Sequence, residues 1–298
     1  MQFPRISAFV KASVFLSFSL FALPSFSDWE SDRIQFDVAG EGDPVLVIPG
    51  LTSSSDAFDE AFQNVGTKSA YHWAAIGGFA GTAAPADIEK FVAPLVEDMV
   101  GYIEDKNLEN VSLIGHSMGG LVSLLAAAKT DKIEKVLVVD SVPFLAALMR
   151  PAVTPEQAMA SGAQMREQFN SMTEEQYVAM MRQGIPIQVT SEEHKSLVWK
   201  DIERSDRGAV TAAITEIFSE DYRSVLPQIQ VPVTVLVPHN QYSRDTAGSV
   251  LTKYKTLYAG LKNVEFKLVE NSLHFIMLDQ PEIFAQEVDL FLGEAASE

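Results

Sequence analysis

The stretch VSLIGHSMGG, from Val111 to Gly120, places an apolar run directly before a serine that is flanked by glycines. Val111 to Ile114 predict a buried strand, and the apolar residues LVSLLAAA that follow Gly120 predict a helix. Glycines permit the sharp bend of a strand-to-helix turn, and such a turn lifts the Ser117 hydroxyl clear of the backbone. Ser117 is therefore a candidate nucleophile, and an ordinary glycine-rich turn is the alternative.

Strand and helix patterns alternate along the rest of the chain. Apolar runs predict strands in DRIQFDVAG, VLVI, YHWAAIGG, KVLVVD, PVTVLVP and VEFKLVE. Apolar residues at helical spacing predict helices in PADIEKFVAPLVEDMVGYIEDKN (Pro85 to Asn107), TAGSVLTKYKTLYAGL and PEIFAQEVDLFLGEA. This alternation predicts an α/β fold with a mostly parallel central sheet and helices on both of its faces.

Residues 144–230 interrupt the alternation, because they lack buried-strand runs and have the patterns of several helices. Capping boxes at Thr154–Gln157 and Thr173–Gln176 predict two helix starts. Six of the ten methionines lie in this stretch, which indicates either ordinary packing or an adaptable apolar wall over a binding site. We expect a core domain of residues 28–143 and 231–298 and a helical lid of residues 144–230.

Residues 1–27 differ from the rest of the chain. Arg5 and Lys11 precede the apolar run ASVFLSFSLFAL, and the small residues Ser25 and Ser27 come shortly after it. This pattern is typical of a secretory signal peptide that is cleaved after Ser27, and an uncleaved membrane anchor is the alternative. We expect a periplasmic or secreted protein that begins at Asp28 and has no stable insertion in a membrane.

Composition argues against several classes of partner. A formal net charge of −18 repels nucleic acid and anionic lipid headgroups, so we expect neither as a partner. The chain contains no cysteine, which excludes disulfides and metal sites built from thiolates.

The motif LIGHSMGG and its surroundings resemble the α/β-hydrolase superfamily, in particular its esterase- and lipase-like serine hydrolases with a helical lid. The resemblance covers nearly all of the mature chain and implies that Ser117 is the nucleophile. It also implies an oxyanion loop after an early strand, which here reads VIPGLTSSS. Pro49 replaces the family's usual histidine, but Gly50 is kept. The backbone N–H groups of Leu51 and Met118 are then the expected oxyanion donors, and an ordinary turn is the alternative.

Five histidines compete for the role of general base. His116 lies inside the turn and, by strand alternation, points away from the Ser117 side chain. His274 follows the last predicted strand, in NSLHFIMLDQPEIF, where the family keeps its catalytic histidine. We predict that His274 is the base. The other candidates are His72, His194 and His239, the last as a weak rival.

Two aspartates compete to be the acid that orients the histidine. The family's usual acid follows the penultimate strand, where this chain reads LVPHNQYSRDT, with Asn240 near the expected position and Asp245 later. A second arrangement in the family puts the acid at the end of the strand after the nucleophile helix, where VLVVDSVPF has Asp140. A carboxylate at the end of a buried strand is costly unless it is paired. We predict Asp140, with Asp245 as the alternative and a purely capping role for Asp140 as a third possibility.

Together these residues predict a hydrolase that works through an acyl-enzyme. His274 takes the proton of Ser117, the serine attacks a carbonyl, and water cleaves the resulting acyl-enzyme. This chemistry needs no metal and no cofactor. We expect a carboxylic ester or lactone of small to medium acyl chain as the substrate. The alternatives are other acyl chemistry on the same triad, namely thioester or amide cleavage, acyl transfer or cofactor-free perhydrolysis, and a catalytically silent binding protein of the same fold.

Overall fold

A computed structural model describes residues 29–241, 243 and 245–293. The predicted signal peptide, residues 1–27, lies outside these described residues. The strands are β1 (Ile34–Ala39), β2 (Pro44–Ile48), β3 (Ala70–Ile76), β4 (Val111–His116), β5 (Ile133–Val139), β6 (Val233–His239) and β7 (Val264–Glu270). They form one sheet in the order β1-β3-β2-β4-β5-β6-β7. Strand β1 runs antiparallel to β3, and all other neighbouring strands are parallel.

The helices are α1 (Asp59–Phe62), α2 (Val92–Asp105), α3 (Met118–Ala127), α4 (Leu145–Met149), α5 (Pro155–Ser171), α6 (Glu174–Gly184), α7 (Glu192–Arg204), α8 (Arg207–Ser219), α9 (Ala247–Leu257), α10 (Ile276–Asp279) and α11 (Pro281–Leu292). Short 3₁₀ helices are found at Ser55–Phe58, Ile185–Ile187 and Arg223–Gln228. In the part of the chain that the structure describes, no helix has the length and apolar character to cross a membrane.

Helices cover both faces of the sheet and bury a hydrophobic cluster on each. Leu113 of β4 belongs to the cluster that includes α2, α3 and α9, and its neighbour Ile114 belongs to the cluster that includes α1, α7, α10 and α11. Adjacent residues of a strand point to opposite faces, so β4 is apolar on both sides, as a buried parallel strand requires. The sheet and its two helical layers confirm the predicted α/β fold.

Helix α2 begins later than its apolar pattern predicts. The helical spacing of apolar residues starts at Ile88, but the helix itself begins at Val92. The N–H groups of Phe91 and Val92 donate to the carboxylate of Glu216 in α8, at 2.6 and 3.3 Å. A distant side chain thus caps the helix, and the residues before it remain irregular.

Residues 144–230, the expected lid, contain α4 to α8, and side chains from this segment line a cavity together with Ser117 and His274. Both predicted capping boxes are confirmed: the hydroxyls of Thr154 and Thr173 accept the N–H groups of Gln157 and Gln176, whose side chains bond back to the threonine N–H groups. Helix α5 packs closely on α8, where a Cβ at Gly162 would lie only 2.5 Å from the side chain of Ser219.

Candidate active site

Strand β4 turns sharply into helix α3 at Ser117. Ser117 has a positive φ of 53°, which is rare for a residue other than glycine. A Cβ at Gly115 would lie 2.3 Å from the carbonyl oxygen of Gly119. At Gly119 it would lie 2.2 Å from the carbonyl oxygen of Ile48. Real atoms do not approach so closely, so the bend depends on glycine at both positions.

The loop after β2 passes beside this bend and carries the second expected oxyanion donor. The carbonyl of Gly50 accepts the N–H of Ser53 at 3.2 Å. The same peptide unit carries the N–H of Leu51, so this turn fixes the direction of that group. Within the described chain the Leu51 N–H has no acceptor. The Met118 N–H is the first of helix α3 and has no partner inside the helix.

A lid residue anchors the far end of this loop. The carboxylate of Asp201 in α7 accepts the N–H and the hydroxyl of Ser54 at 2.8 and 2.7 Å, and it pairs with Arg204 at 2.6 Å. Asp201 is only 3% exposed, which strengthens these charge-assisted bonds. No local sequence pattern indicates this contact, because Ser54 and Asp201 are 147 positions apart.

His274 and Asp140 meet at the carboxyl edge of the sheet. His274 lies in the turn between β7 and α10, and its Nδ1 is 2.5 Å from Oδ2 of Asp140. Asp140 directly follows β5 with a φ of 45°, and its N–H donates to the carbonyl of Leu236 at 3.0 Å. The other carboxylate oxygen, Oδ1, accepts the hydroxyl of Tyr254 in α9. Asp140 is therefore a paired carboxylate.

The structure brings Ser117, His274 and Asp140 to the wall of one cavity of about 530 Å³. No hydrogen bond joins the Ser117 hydroxyl to His274 among the described residues. Such bonds are often long in the absence of substrate and tighten when it binds. The Asp245 carboxylate bonds to other side chains: it accepts the Lys253 ammonium at 2.6 Å and the hydroxyl of Ser249 at 3.0 Å. The hydrogen bond from Lys253 lowers the pKa of Asp245.

His116 is fully buried behind His274. Its Nε2 is 3.1 Å from the carbonyl oxygen of His274, and the two ring centroids are 4.5 Å apart. Burial, and then the neighbouring His274, hold the pKa of His116 well below its ordinary value. A neutral His116 can donate to that carbonyl and support the His274 backbone. The remaining histidines bond to other partners, namely His72 to Tyr102, His194 to Glu60 and His239 to Glu270.

The cavity is mostly apolar. Met149, Met165 and Met181 line it from three different lid helices, together with Phe169 and Phe218. Three methionines of the expected lid thus line the cavity that holds the candidate nucleophile. None of the described residues that line the cavity is a lysine or an arginine. An uncharged, apolar ligand fits this lining better than an anionic one.

Comparisons with known proteins agree with this architecture. Residues 23–287 match the model of the alpha/beta hydrolase family. One curated relative, an abhydrolase domain-containing protein of Schizosaccharomyces pombe, is 30% identical over 108 residues. That match covers 36% of this chain and 40% of the relative, less than half of its length.

Several solved structures share the fold. A bromoperoxidase from Bacillus anthracis has a TM-score of 0.71 and 18% identity, over 88% of this chain and 95% of that one. An esterase from Exiguobacterium antarcticum has a TM-score of 0.71 and 19% identity, over 87% and 95%. An enol-lactonase from Burkholderia xenovorans LB400 has a TM-score of 0.68 and 17% identity, over 88% and 96%.

Proposed function

Because the chain is a hydrolase that belongs to the alpha/beta hydrolase family, we propose that it cleaves a carboxylic ester or lactone through a Ser117–His274–Asp140 triad. One observation carries this proposal: Nδ1 of His274 lies 2.5 Å from the Asp140 carboxylate, on the wall of the cavity that also holds Ser117. A carboxylate that accepts the Nδ1 proton leaves the lone pair on Nε2 free to act as a base.

Each residue has a distinct task in the proposed reaction. Nε2 of His274 removes the proton of Ser117 as Oγ attacks the substrate carbonyl carbon. The N–H groups of Leu51 and Met118 donate to the oxyanion of the tetrahedral intermediate. His274 then gives its proton to the departing alcohol oxygen, which leaves an acyl group on Ser117. Water, deprotonated by His274, attacks this ester, and His274 returns the proton to Oγ of Ser117 as the acid product leaves. Asp140 stabilises the imidazolium in both halves.

The lining of the cavity supports the substrate class. Its walls are apolar, its volume is about 530 Å³, and the described lining residues include no cation that would bind a carboxylate. We therefore propose a neutral acyl chain of small to medium length. The esterase and the enol-lactonase that share this fold make an ester or a lactone the first classes to test.

A secreted location is part of the proposal. The basic, apolar and small residues of positions 1–27 support cleavage after Ser27 and export from the cytoplasm. N-terminal sequencing of protein from the native host should give a chain that begins at Asp28. A mature chain that begins at Met1 contradicts export by cleavage.

Turnover of a substrate panel tests the function. The panel contains p-nitrophenyl esters of increasing acyl length, one ester whose acyl chain ends in a carboxylate, aliphatic lactones, a thioester and an anilide, with Ser117→Ala as the matched background. We expect saturable hydrolysis of neutral esters or lactones, and less activity on an acyl chain that ends in a carboxylate. Wild-type protein that turns over no ester or lactone above the Ser117→Ala background contradicts the proposal.

A further inference from the structure

The Asp140 carboxylate makes two hydrogen bonds, and only one of them belongs to the proposed triad. Oδ2 accepts Nδ1–H of His274, and Oδ1 accepts the hydroxyl of Tyr254. The side chain of Asp140 is 13% exposed and Tyr254 is 3% exposed. Little room is left for water to replace the phenol, so Tyr254 is a fixed partner of the acid.

Tyr254 comes from the element that follows the family's usual position for the acid. Helix α9 begins at Ala247, a few positions after Asn240, which stands in the sequence near the expected position of the carboxylate. With the acid at the end of β5 instead, α9 faces Asp140 and supplies a hydrogen-bond donor. The donor is 114 positions away from its acceptor.

A second donor matters because a carboxylate turns easily about its last torsion. Rotation of the Asp140 carboxylate would exchange its oxygens and tilt the acceptor away from His274, since this sp³–sp² torsion has a broad energy well. The backbone bond to Leu236 fixes the main chain of Asp140 but leaves this torsion free. A phenol on Oδ1 fixes the plane of the carboxylate.

The phenol also keeps its proton under working conditions. Burial, and then the charge of Asp140, raise the pKa of Tyr254 well above its ordinary value. Tyr254 therefore stays a donor wherever Asp140 is ionised. A neutral donor on Oδ1 stabilises the carboxylate without adding a charge to the site.

We infer that Tyr254 is a positioning residue of this hydrolase, whose hydroxyl holds the Asp140 carboxylate so that Oδ2 faces Nδ1 of His274. The inference rests on the proposed function, because it requires Asp140 to be the acid of the triad. It predicts that the hydroxyl of Tyr254 acts on kcat through Asp140 and has little effect on substrate binding.

Tyr254→Phe tests this role, and Tyr258→Phe is its matched control. Tyr258 lies one turn further along, is 1% exposed, and donates to the carbonyl of Ser141 at 2.8 Å instead of to the carboxylate. Both changes remove one buried hydroxyl bond and keep the ring. We expect Tyr254→Phe to lower kcat about 10- to 100-fold, with KM within about twofold, since bonds to charged groups are the stronger class. Tyr258→Phe should keep kcat within about threefold at a similar loss of thermal stability.

Two further measurements separate positioning from general stability. The NMR resonance of the His274 Nδ1 proton should move in Tyr254→Phe and stay in place in Tyr258→Phe. When Asp140→Asn is already present, adding Tyr254→Phe should lower kcat by less than about threefold, because groups that act through one another are not additive.

Four outcomes overturn the inference: Tyr254→Phe that keeps the parent kcat, Tyr254→Phe that does not fold, an equal loss of kcat in Tyr258→Phe, or a full additional loss in the Asp140→Asn background. Failure of the proposed function is recognised separately, because Ser117→Ala or Asp140→Asn would then retain the parent rate whatever Tyr254 does.

Discussion

Ser117 and Asp140 occupy equivalent places in the sheet and are held there by different means. They follow the neighbouring parallel strands β4 and β5, and both have a positive φ, 53° and 45°. Around Ser117, glycines let the backbone of the turn pack against the backbone of the loop after β2. Around Asp140, the main-chain N–H donates to the carbonyl of Leu236, and the carboxylate accepts hydrogen bonds from Tyr254 and His274. All three partners belong to later elements.

This difference predicts two kinds of sensitivity. A strained backbone conformation persists only where its surroundings fix it. At the Ser117 turn the surroundings are backbone atoms, so even a small added side chain should destabilise the fold. At Asp140 the surroundings are polar side chains and one main-chain hydrogen bond. A change in the carboxylate should therefore lower kcat and leave the folded structure intact.

The largest expected effect is the loss of the nucleophile. Ser117→Ala should lower kcat on the best ester by on the order of a millionfold, because the members of a catalytic triad act as a unit. The fold should remain, since the glycines that shape the turn are unchanged. His274→Ala should give a comparable loss. Activity of Ser117→Ala near the parent value, measured by steady-state hydrolysis, contradicts the role of Ser117.

The second effect is on the acid. Asp140→Asn should lower kcat about ten-thousandfold, because an amide in place of the carboxylate favours the wrong tautomer of the histidine. Asparagine tolerates a positive φ, so circular dichroism and thermal melting should stay close to those of the parent. Asp245→Asn is the control and should keep kcat within about twofold, since Asp245 bonds to Lys253 and Ser249 instead.

The third effect concerns the glycines of the Ser117 turn and is measured as a change in the free energy of unfolding. Gly119→Ala would put a Cβ 2.2 Å from the Ile48 carbonyl oxygen and should lower the free energy of unfolding by about 3 kcal/mol. Gly101→Ala, in the middle of α2, meets its nearest atom at 3.7 Å and should raise it by about 0.5–1 kcal/mol. Urea titrations measure both values. Equal stabilities of the two variants would mean that the turn does not depend on glycine.

The smallest effect concerns the loop that carries Leu51. Asp201→Asn replaces a buried carboxylate that holds Ser54, and the loosened loop should lower kcat about tenfold, with a smaller change in KM. Asp289→Asn is the control, because Asp289 holds Gly66 and Thr67 by the same kinds of bond away from the cavity. A similar kcat loss in both variants would show that only stability had changed.

Much of this arrangement was predictable because its causes are local. The strand-to-helix turn lies within a few consecutive residues, and the capping boxes at Thr154 and Thr173 each span four. The family resemblance points to His274 because it follows the last strand, and Asp140 is a candidate acid because it ends an apolar run.

Contacts between distant residues could not be predicted in this way. Glu216 caps α2 from 125 positions away, Asp201 anchors Ser54 from 147, and Tyr254 reaches Asp140 from 114. No local pattern encodes such pairs, since they depend on how the lid and α9 pack against the sheet. The later start of α2 has the same origin.

The central claim is that Asp140, at the end of β5, activates Ser117 through His274. The rate at which a fluorophosphonate labels Ser117 tests it most directly, because this reaction requires no knowledge of the natural substrate. Peptide mass mapping should place the label on Ser117. Labelling of Asp140→Asn should be slower by about a thousandfold or more, while Asp245→Asn keeps its rate within about twofold. A label on another residue, or slow labelling of Asp245→Asn together with an unchanged rate for Asp140→Asn, contradicts the account.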